Sequence, residues 1–175
     1  LADAAVGPGS PKCAMPFILD SPGQTSLRRG RRSLPGCAYF ITFTTSGRRR
    51  LFADWEPAAQ MSSLLADPAS WPNATLLAWV LMPDHFHGLL CLEAGALMAS
   101  VGPAKGATAF RFNRWRGESG PVWARGFHDR AVRGEEALRD AARYLVANPV
   151  RAGLVERVGD YPFWNARWLI DESPL

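Results

Sequence analysis

Leu81-Met82-Pro83-Asp84-His85-Phe86-His87-Gly88-Leu89-Leu90 holds two of the three histidines of the chain, set two residues apart among apolar neighbours. On a β-strand that spacing aims both imidazoles at one face. Thr75-Leu76-Leu77-Ala78-Trp79-Val80-Leu81 precedes the motif, and Leu89, Leu90 and Leu92 continue the apolar run after it. Two strands are therefore expected, over residues 75–82 and 86–92, with Pro83-Asp84 as turn chemistry between them. Two neutral imidazoles on one sheet face can hold a divalent metal if a third group reaches over from elsewhere. The pair can equally be two strand histidines satisfied by hydrogen bonds, so the rest of the chain must decide.

With 175 residues, 47% of them hydrophobic, the chain has the size of one packed domain. Its formal net charge is +4, and 18 of its 20 basic residues are arginine, Lys12 and Lys105 being the exceptions. A guanidinium fork binds phosphate in a bidentate manner and stacks on bases, which fits a nucleic-acid partner; a GC-rich genome would give the same preference. Clustering favours the first reading, because Arg28-Arg29-Gly30-Arg31-Arg32 and Arg48-Arg49-Arg50 are true runs. Cys13, Cys37 and Cys91 show no C-x-x-C spacing and cannot all pair within one chain, which argues for a reducing compartment and against structural zinc. No apolar stretch near the N-terminus is long enough for a signal-peptide core and none anywhere for a membrane span, so a cytoplasmic location is expected.

Residues 1–35 are rich in Gly, Pro, Ser and Arg without apolar periodicity and read as a flexible basic arm. Residues 36–175 read as a single domain. Ala38-Tyr39-Phe40-Ile41-Thr42-Phe43-Thr44-Thr45, aromatic and β-branched, predicts the first strand. Asp54 as N-cap, acidic Glu56 and an early Pro57 predict a helix that Asp67-Pro68 ends. Residues 94–116 carry a helical stretch in which Gly102-Pro103 is expected to make a break or kink. Its second half, from Lys105 to Arg116, interleaves basic and aromatic residues, which suits either a nucleic-acid grip or an amphipathic helix with a solvated basic face. Val122 to Val132 reads as a fourth extended segment, and Glu135 to Asn148 has the best helix composition in the chain, closed by Pro149. Tyr161, Phe163, Trp164 and Trp168 read as a packing strap. The sum is an α+β fold, an antiparallel β-sheet flanked by helices.

Tyr144 and Asn148 stand four apart and so share one face of the last helix. Asn148 can offer a carbonyl oxygen to a metal already held by His85 and His87, and two imidazoles with one amide oxygen suit Mg²⁺ or Mn²⁺ better than tetrahedral zinc. A phenol is a poor nucleophile at neutral pH until it is positioned and deprotonated. The metal's role would be to polarise a phosphodiester while Tyr144 attacks in line.

Four blocks in order carry a resemblance: Tyr39-Phe40-Ile41-Thr42-Phe43; Trp79-Val80-Leu81-Met82-Pro83-Asp84-His85-Phe86-His87; Gly120-Pro121-Val122-Trp123 with Gly126-Phe127-His128-Asp129-Arg130; and Tyr144 to Val155. Together they resemble the HUH single-tyrosine transposases, above all the REP-associated branch. The resemblance implies a ferredoxin- or RRM-like HUH endonuclease fold and a metal-dependent endonuclease and strand transferase acting on single-stranded DNA beside hairpin-forming palindromic repeats. It implies Tyr144 as the residue forming a 5′-phosphotyrosine link, and His85, His87 and Asn148 as ligands of Mg²⁺ or Mn²⁺. DNA contacts are expected from Arg48, Arg49, Lys105, Arg111, Arg114 and Arg125. A monomer or a homodimer would fit, and no membrane partner is expected. His128 is expected to be hydrogen-bonded structure. Two other classes stay open: a hairpin-binding module without chemistry, and a metal-dependent phosphodiesterase that uses water.

Overall fold

Alternation of side chains between two faces governs the sheet. The structure, a computed structural model, describes residues 33–167, so residues 1–32 of the expected basic arm, Trp168 and the last residues of the expected domain lie outside it. The strands are β1 (Ala38–Thr44), β2 (Ala74–Met82), β3 (His85–Leu92), β4 (His128–Val132) and β5 (Trp164–Ala166). They form one antiparallel sheet in the order β4-β1-β3-β2-β5. Helices α1 (Trp55–Ala66) and α2 (Leu97–Arg116) make the β1-to-β2 and β3-to-β4 crossovers, which is the split βαβ arrangement of ferredoxin-like folds. Right-handed crossovers put both helices on the same side of the sheet. The last helix, α3 (Glu135–Val146), and the short α4 (Asn148–Arg151) follow β4, and α3 packs on β2, β3, β4 and β5.

The face toward α1 and α2 is a closed aromatic core. Phe86 stacks on Phe43 at 4.9 Å and on Trp71 at 5.8 Å, Trp123 meets Phe43 edge-on at 4.7 Å, and Phe52 meets Phe112 at 5.5 Å. Such pairs contribute about 0.5–1.5 kcal/mol each beyond the area they bury. Gly88 belongs to this face, and a Cβ there would lie 2.7 Å from the Phe86 ring, so only glycine lets that ring lie flat along its own strand.

The expected hairpin is present, with Met82 opposite His85 and only Pro83-Asp84 between the strands. Its turn is tied down from β1: Thr45 donates from its backbone N–H (2.8 Å) and its hydroxyl (3.1 Å) to the Asp84 carbonyl, and Phe52 N–H donates to the Pro83 carbonyl at 3.0 Å. Three expectations are corrected. Gly102-Pro103 does not break α2, which runs unbroken for 20 residues. Pro103 sits in the second turn and deprives the carbonyl of Ala99 of a donor, but Ala99 is exposed, so the loss falls on the solvent side of the helix. The extended segment from Val122 is a strand only over His128–Val132, its first part touching the sheet through a single bridge between Thr45 and Trp123. The aromatic strap contains β5, which pairs with β2 and is pinned by the Tyr161 hydroxyl donating to the Leu81 carbonyl at 2.7 Å.

Candidate active site

The face away from α1 and α2 carries the candidate chemistry. Thr42 pairs with His87 and with His128, and Phe40 pairs with Leu89 and Arg130, so all of these project to the His85 and His87 side. The Nε2 atoms of His85 and His87 converge to 3.1 Å. Each outer nitrogen has its own partner: His85 Nδ1 lies 2.6 Å from a carboxylate oxygen of Asp84, and His87 Nδ1 lies 2.7 Å from the Thr42 hydroxyl. A carboxylate only accepts, so His85 donates from Nδ1, which in a neutral ring leaves Nε2 as a bare lone pair. Thr42 can donate or accept, so His87 can either donate its Nε2 proton to His85 or turn a second lone pair toward the same point.

That donor set fits a divalent cation. Imidazoles fixed through their outer nitrogens by a carboxylate and a hydroxyl are what metal-binding histidines require. Two imidazole nitrogens 3.1 Å apart are close enough that both would be able to bind one ion. Burial, reinforced by the neighbouring His85 and Arg48, lowers the pKa of His87 to about 4, which keeps its imidazole neutral and able to coordinate at neutral pH. Desolvation pushes Asp84 up, but the hydrogen bond and charge of His85, with Arg48 at 3.2 Å, outweigh it and hold the carboxyl below its usual range. Among the described residues no three His, Cys, Asp or Glu side chains cluster, so a third protein ligand has to be of another type.

Asn148 meets that description, and its orientation has a local cause. Pro149 has no N–H to offer the carbonyl of Leu145 four residues back, and the Asn148 side-chain Nδ2 donates to it instead, at 3.0 Å. One amide N–H is thereby engaged inside the helix, which fixes the side chain and leaves the amide oxygen to accept or coordinate. Tyr144, one turn earlier, is 48% exposed and edge-on to Phe40 at 6.3 Å, while Phe40 in turn lies 5.5 Å from His87. One ring thus lies against both His87 and the tyrosine. The Arg151 guanidinium sits 4.8 Å from the centre of the Tyr144 ring, a cation over the face of the phenol.

The basic residues expected to contact DNA are not one patch. Arg48 is exposed beside the histidines through Asp84. Arg49 is engaged with the carbonyls of Ser46 (3.2 Å) and Pro121 (2.6 Å). Lys105 turns inward to the carbonyls of Ala124 and Gly126 and over the Phe43 ring, and burial lowers its pKa. Arg111 pairs with Asp67 at 3.0 Å and, with Arg114, lines a cavity between α1 and α2, on the other side of the sheet from the histidines. Arg125 is exposed in the loop before β4. His128, expected to be hydrogen-bonded, is exposed on edge strand β4 and makes no side-chain hydrogen bond among the described residues. Sequence reasoning missed Thr42, Asp84 as partner of His85, Phe40, and the arginines Arg130 and Arg151 around Tyr144. The visible signal was period: Phe40 and Thr42 alternate on β1, and Arg151 lies two turns beyond Tyr144.

A profile of the family described as "Transposase IS200 like" matches residues 33–148, a span from the start of the sheet to Asn148. The chain belongs to the IS200-like transposase family. Among its relatives, a protein of Haemophilus influenzae named in the REP-associated tyrosine transposase group is 25% identical over 139 residues, covering 73% of this chain and 78% of that one. The REP-associated tyrosine transposase of Escherichia coli K12 is 28% identical over 95 residues, covering 49% of this chain and 50% of the relative. Among solved structures, a REP-associated tyrosine transposase bound to a REP hairpin superposes with a TM-score of 0.63 at 22% identity, covering 85% of this chain and 87% of that one. The chain is thus a tyrosine transposase by family, and its relatives lie in the REP-associated branch. No helix among the described residues is long and apolar enough to cross a membrane.

Proposed function

We propose that this transposase nicks and rejoins single-stranded DNA beside a hairpin-forming repeat, with Tyr144 as nucleophile and His85, His87 and Asn148 holding Mg²⁺ or Mn²⁺. The observation that carries the reading is the placement of Phe40 against both His87 and Tyr144, which brings the nucleophile and the ligand pair to one face of the sheet. The Tyr144 oxygen attacks phosphorus, the bond from phosphorus to the 3′-oxygen breaks, and the phenol proton is lost to solvent while the released 3′-oxygen gains one. The products are a 5′-phosphotyrosine and a free 3′-hydroxyl. A divalent ion at the histidine pair would supply Lewis-acid polarisation of the phosphodiester and charge stabilisation of the leaving oxygen. Arg151 lies over the face of the Tyr144 ring, a contact that would hold the ring in place. Arg48 adds a second cation beside the histidines, where a phosphate would enter. The hairpin repeat is carried over from the similar transposase that was solved with a REP hairpin bound. A cytoplasmic site of action goes with this reading.

The test uses purified protein, Mn²⁺ and end-labelled single-stranded DNA carrying a candidate hairpin, resolved on a denaturing gel. Label migrating with protein, absent with chelator and in Tyr144→Phe, supports the proposal. Cleavage that persists in Tyr144→Phe would overturn it in favour of a water-using phosphodiesterase, and hairpin binding without cleavage would leave a binding module.

A further inference from the structure

Between edge strand β4 and the first turns of α3 lies a cavity of ≈ 770 Å³, lined among others by Phe40, Arg130, Arg133, Asp140 and Tyr144. We propose that it is a subsite for one unpaired nucleotide, the one immediately 3′ of the cut, and it rests on Tyr144 being the nucleophile. Its volume is in the range of pockets that enclose small organic ligands. Its charge is that of a phosphate site: Arg130 and Arg133 make no hydrogen bond or ion pair among the described residues, whereas Arg111, Arg116, Arg139 and Arg157 are all committed to carboxylates. Arg130 lies over the Phe40 ring at 5.9 Å, so its guanidinium is already seated on an aromatic surface of the kind that sandwiches a base. Asp140, whose Oδ1 pairs with Arg143 at 3.4 Å, adds a carboxylate on the opposite wall, its other oxygen suited to an exocyclic amine of adenine, cytosine or guanine.

Polarity follows from the position of Tyr144. The tyrosine stands on the lip of the cavity, and the histidine pair lies beyond Phe40. When the bond from phosphorus to the 3′-oxygen breaks, the strand ending in that oxygen is on the histidine side. The nucleotide whose 5′-phosphate is now bonded to Tyr144 stays with the tyrosine, beside Arg130 and Arg133. The cavity therefore anchors the half of the substrate that is retained until rejoining.

Two measurements on the full chain test this. In the first, deoxynucleoside 5′-monophosphates are titrated and amide shifts followed by NMR. Shifts confined to Ala131–Arg133 and Ala137–Ala141, lost in the double variant Arg130→Gln/Arg133→Gln, support the subsite; shifts elsewhere, or none at millimolar nucleotide, overturn it. In the second, a single abasic residue is walked through the DNA around the mapped cut. An abasic residue just 3′ of the cut should slow adduct formation about tenfold, the size expected for loss of one base contact, with no further loss in the double variant. An equal effect at every position overturns the subsite. If no adduct forms with any DNA while nucleotides still bind between β4 and α3, the nucleophile assignment falls and the nucleotide site stands.

Discussion

The two faces of strand β3 are made from alternate residues of one short sequence and are put to opposite uses. Phe86, Leu90 and Leu92 are fully buried against α1 and α2, whereas His85 and His87 on the other face are only partly covered. The first face is closed by stacked rings that leave no room even for a methyl group at Gly88. The second buries Leu89 but around His85 and His87 is built of groups that hold one another by hydrogen bonds, with the two Nε2 atoms converging. Stability and chemistry are thereby separated by the two-residue period of the strand. The separation predicts that substitutions on one face change stability without touching the site, and the reverse on the other.

The largest effect is expected on the chemical face. Tyr144→Phe should abolish the covalent DNA adduct and leave the melting temperature unchanged, because the hydroxyl is at an exposed position. A loss of stability alongside activity would show that the two faces are coupled through α3. On the opposite face, Gly88→Ala should lower stability in urea unfolding by about 1–3 kcal/mol, as overpacking does. The Phe86 ring cannot withdraw, since Phe43 and Trp71 stack against it. Residual folded protein should still bind Mn²⁺ with unchanged affinity. A variant as stable as the parent would mean that the ring face is looser than its packing indicates.

A smaller effect tests the support of the ligands. Asp84→Ala removes the carboxylate that fixes His85 and should weaken Mn²⁺ binding about 10–100-fold, read by electron paramagnetic resonance of the free ion. Folding should be little changed, because it is the backbone carbonyl of Asp84 that Thr45 holds. Unaltered Mn²⁺ affinity would place the ion away from the histidine pair.

What the sequence made legible follows the same division. Strands β1, β2 and β3, helix α1 and the start of α3 are local: apolar and β-branched runs, helix-forming composition and a two-residue turn mark them within a few residues, although Asp54, expected to cap α1, makes no side-chain cap hydrogen bond. The hairpin mattered most, since once Pro83-Asp84 is a turn, His85 and His87 must share a face. Strand β5 is three residues long and exists only because β2 offers an edge, so no local pattern announces it. Lys105 reads as a surface cation on a basic helix, yet the carbonyls of Ala124 and Gly126, brought by a loop twenty residues away in the chain, turn it inward. Asp84 was legible as a turn residue and not as the partner of His85, because its side chain serves one role and its backbone another. Arg130 and Arg133 carry no signal in an arginine-rich chain until β4 pairs with β1 and sets Arg130 beside Phe40.

The last effect concerns protons. The pKa of His87 is lowered from 6.5 to about 4, first by burial and then by the charges of His85 and Arg48. The unfolded chain therefore takes up a proton at higher pH than the folded one, and stability rises with pH wherever the unfolded state binds more protons. The contribution is complete above pH 6.5, is lost as pH falls toward 4, and is constant below that. Asp84, also lowered, loses its share only beneath 3.8, so the two windows are separate. Unfolding free energies of metal-free protein, measured at intervals from pH 7.5 to 3, should fall by about 1–3 kcal/mol across the upper window. His87→Gln should remove that slope and leave the lower one. A parent with no slope between 6.5 and 4 would mean that His87 is solvated, and that the chemical face is more open than its hydrogen bonds make it.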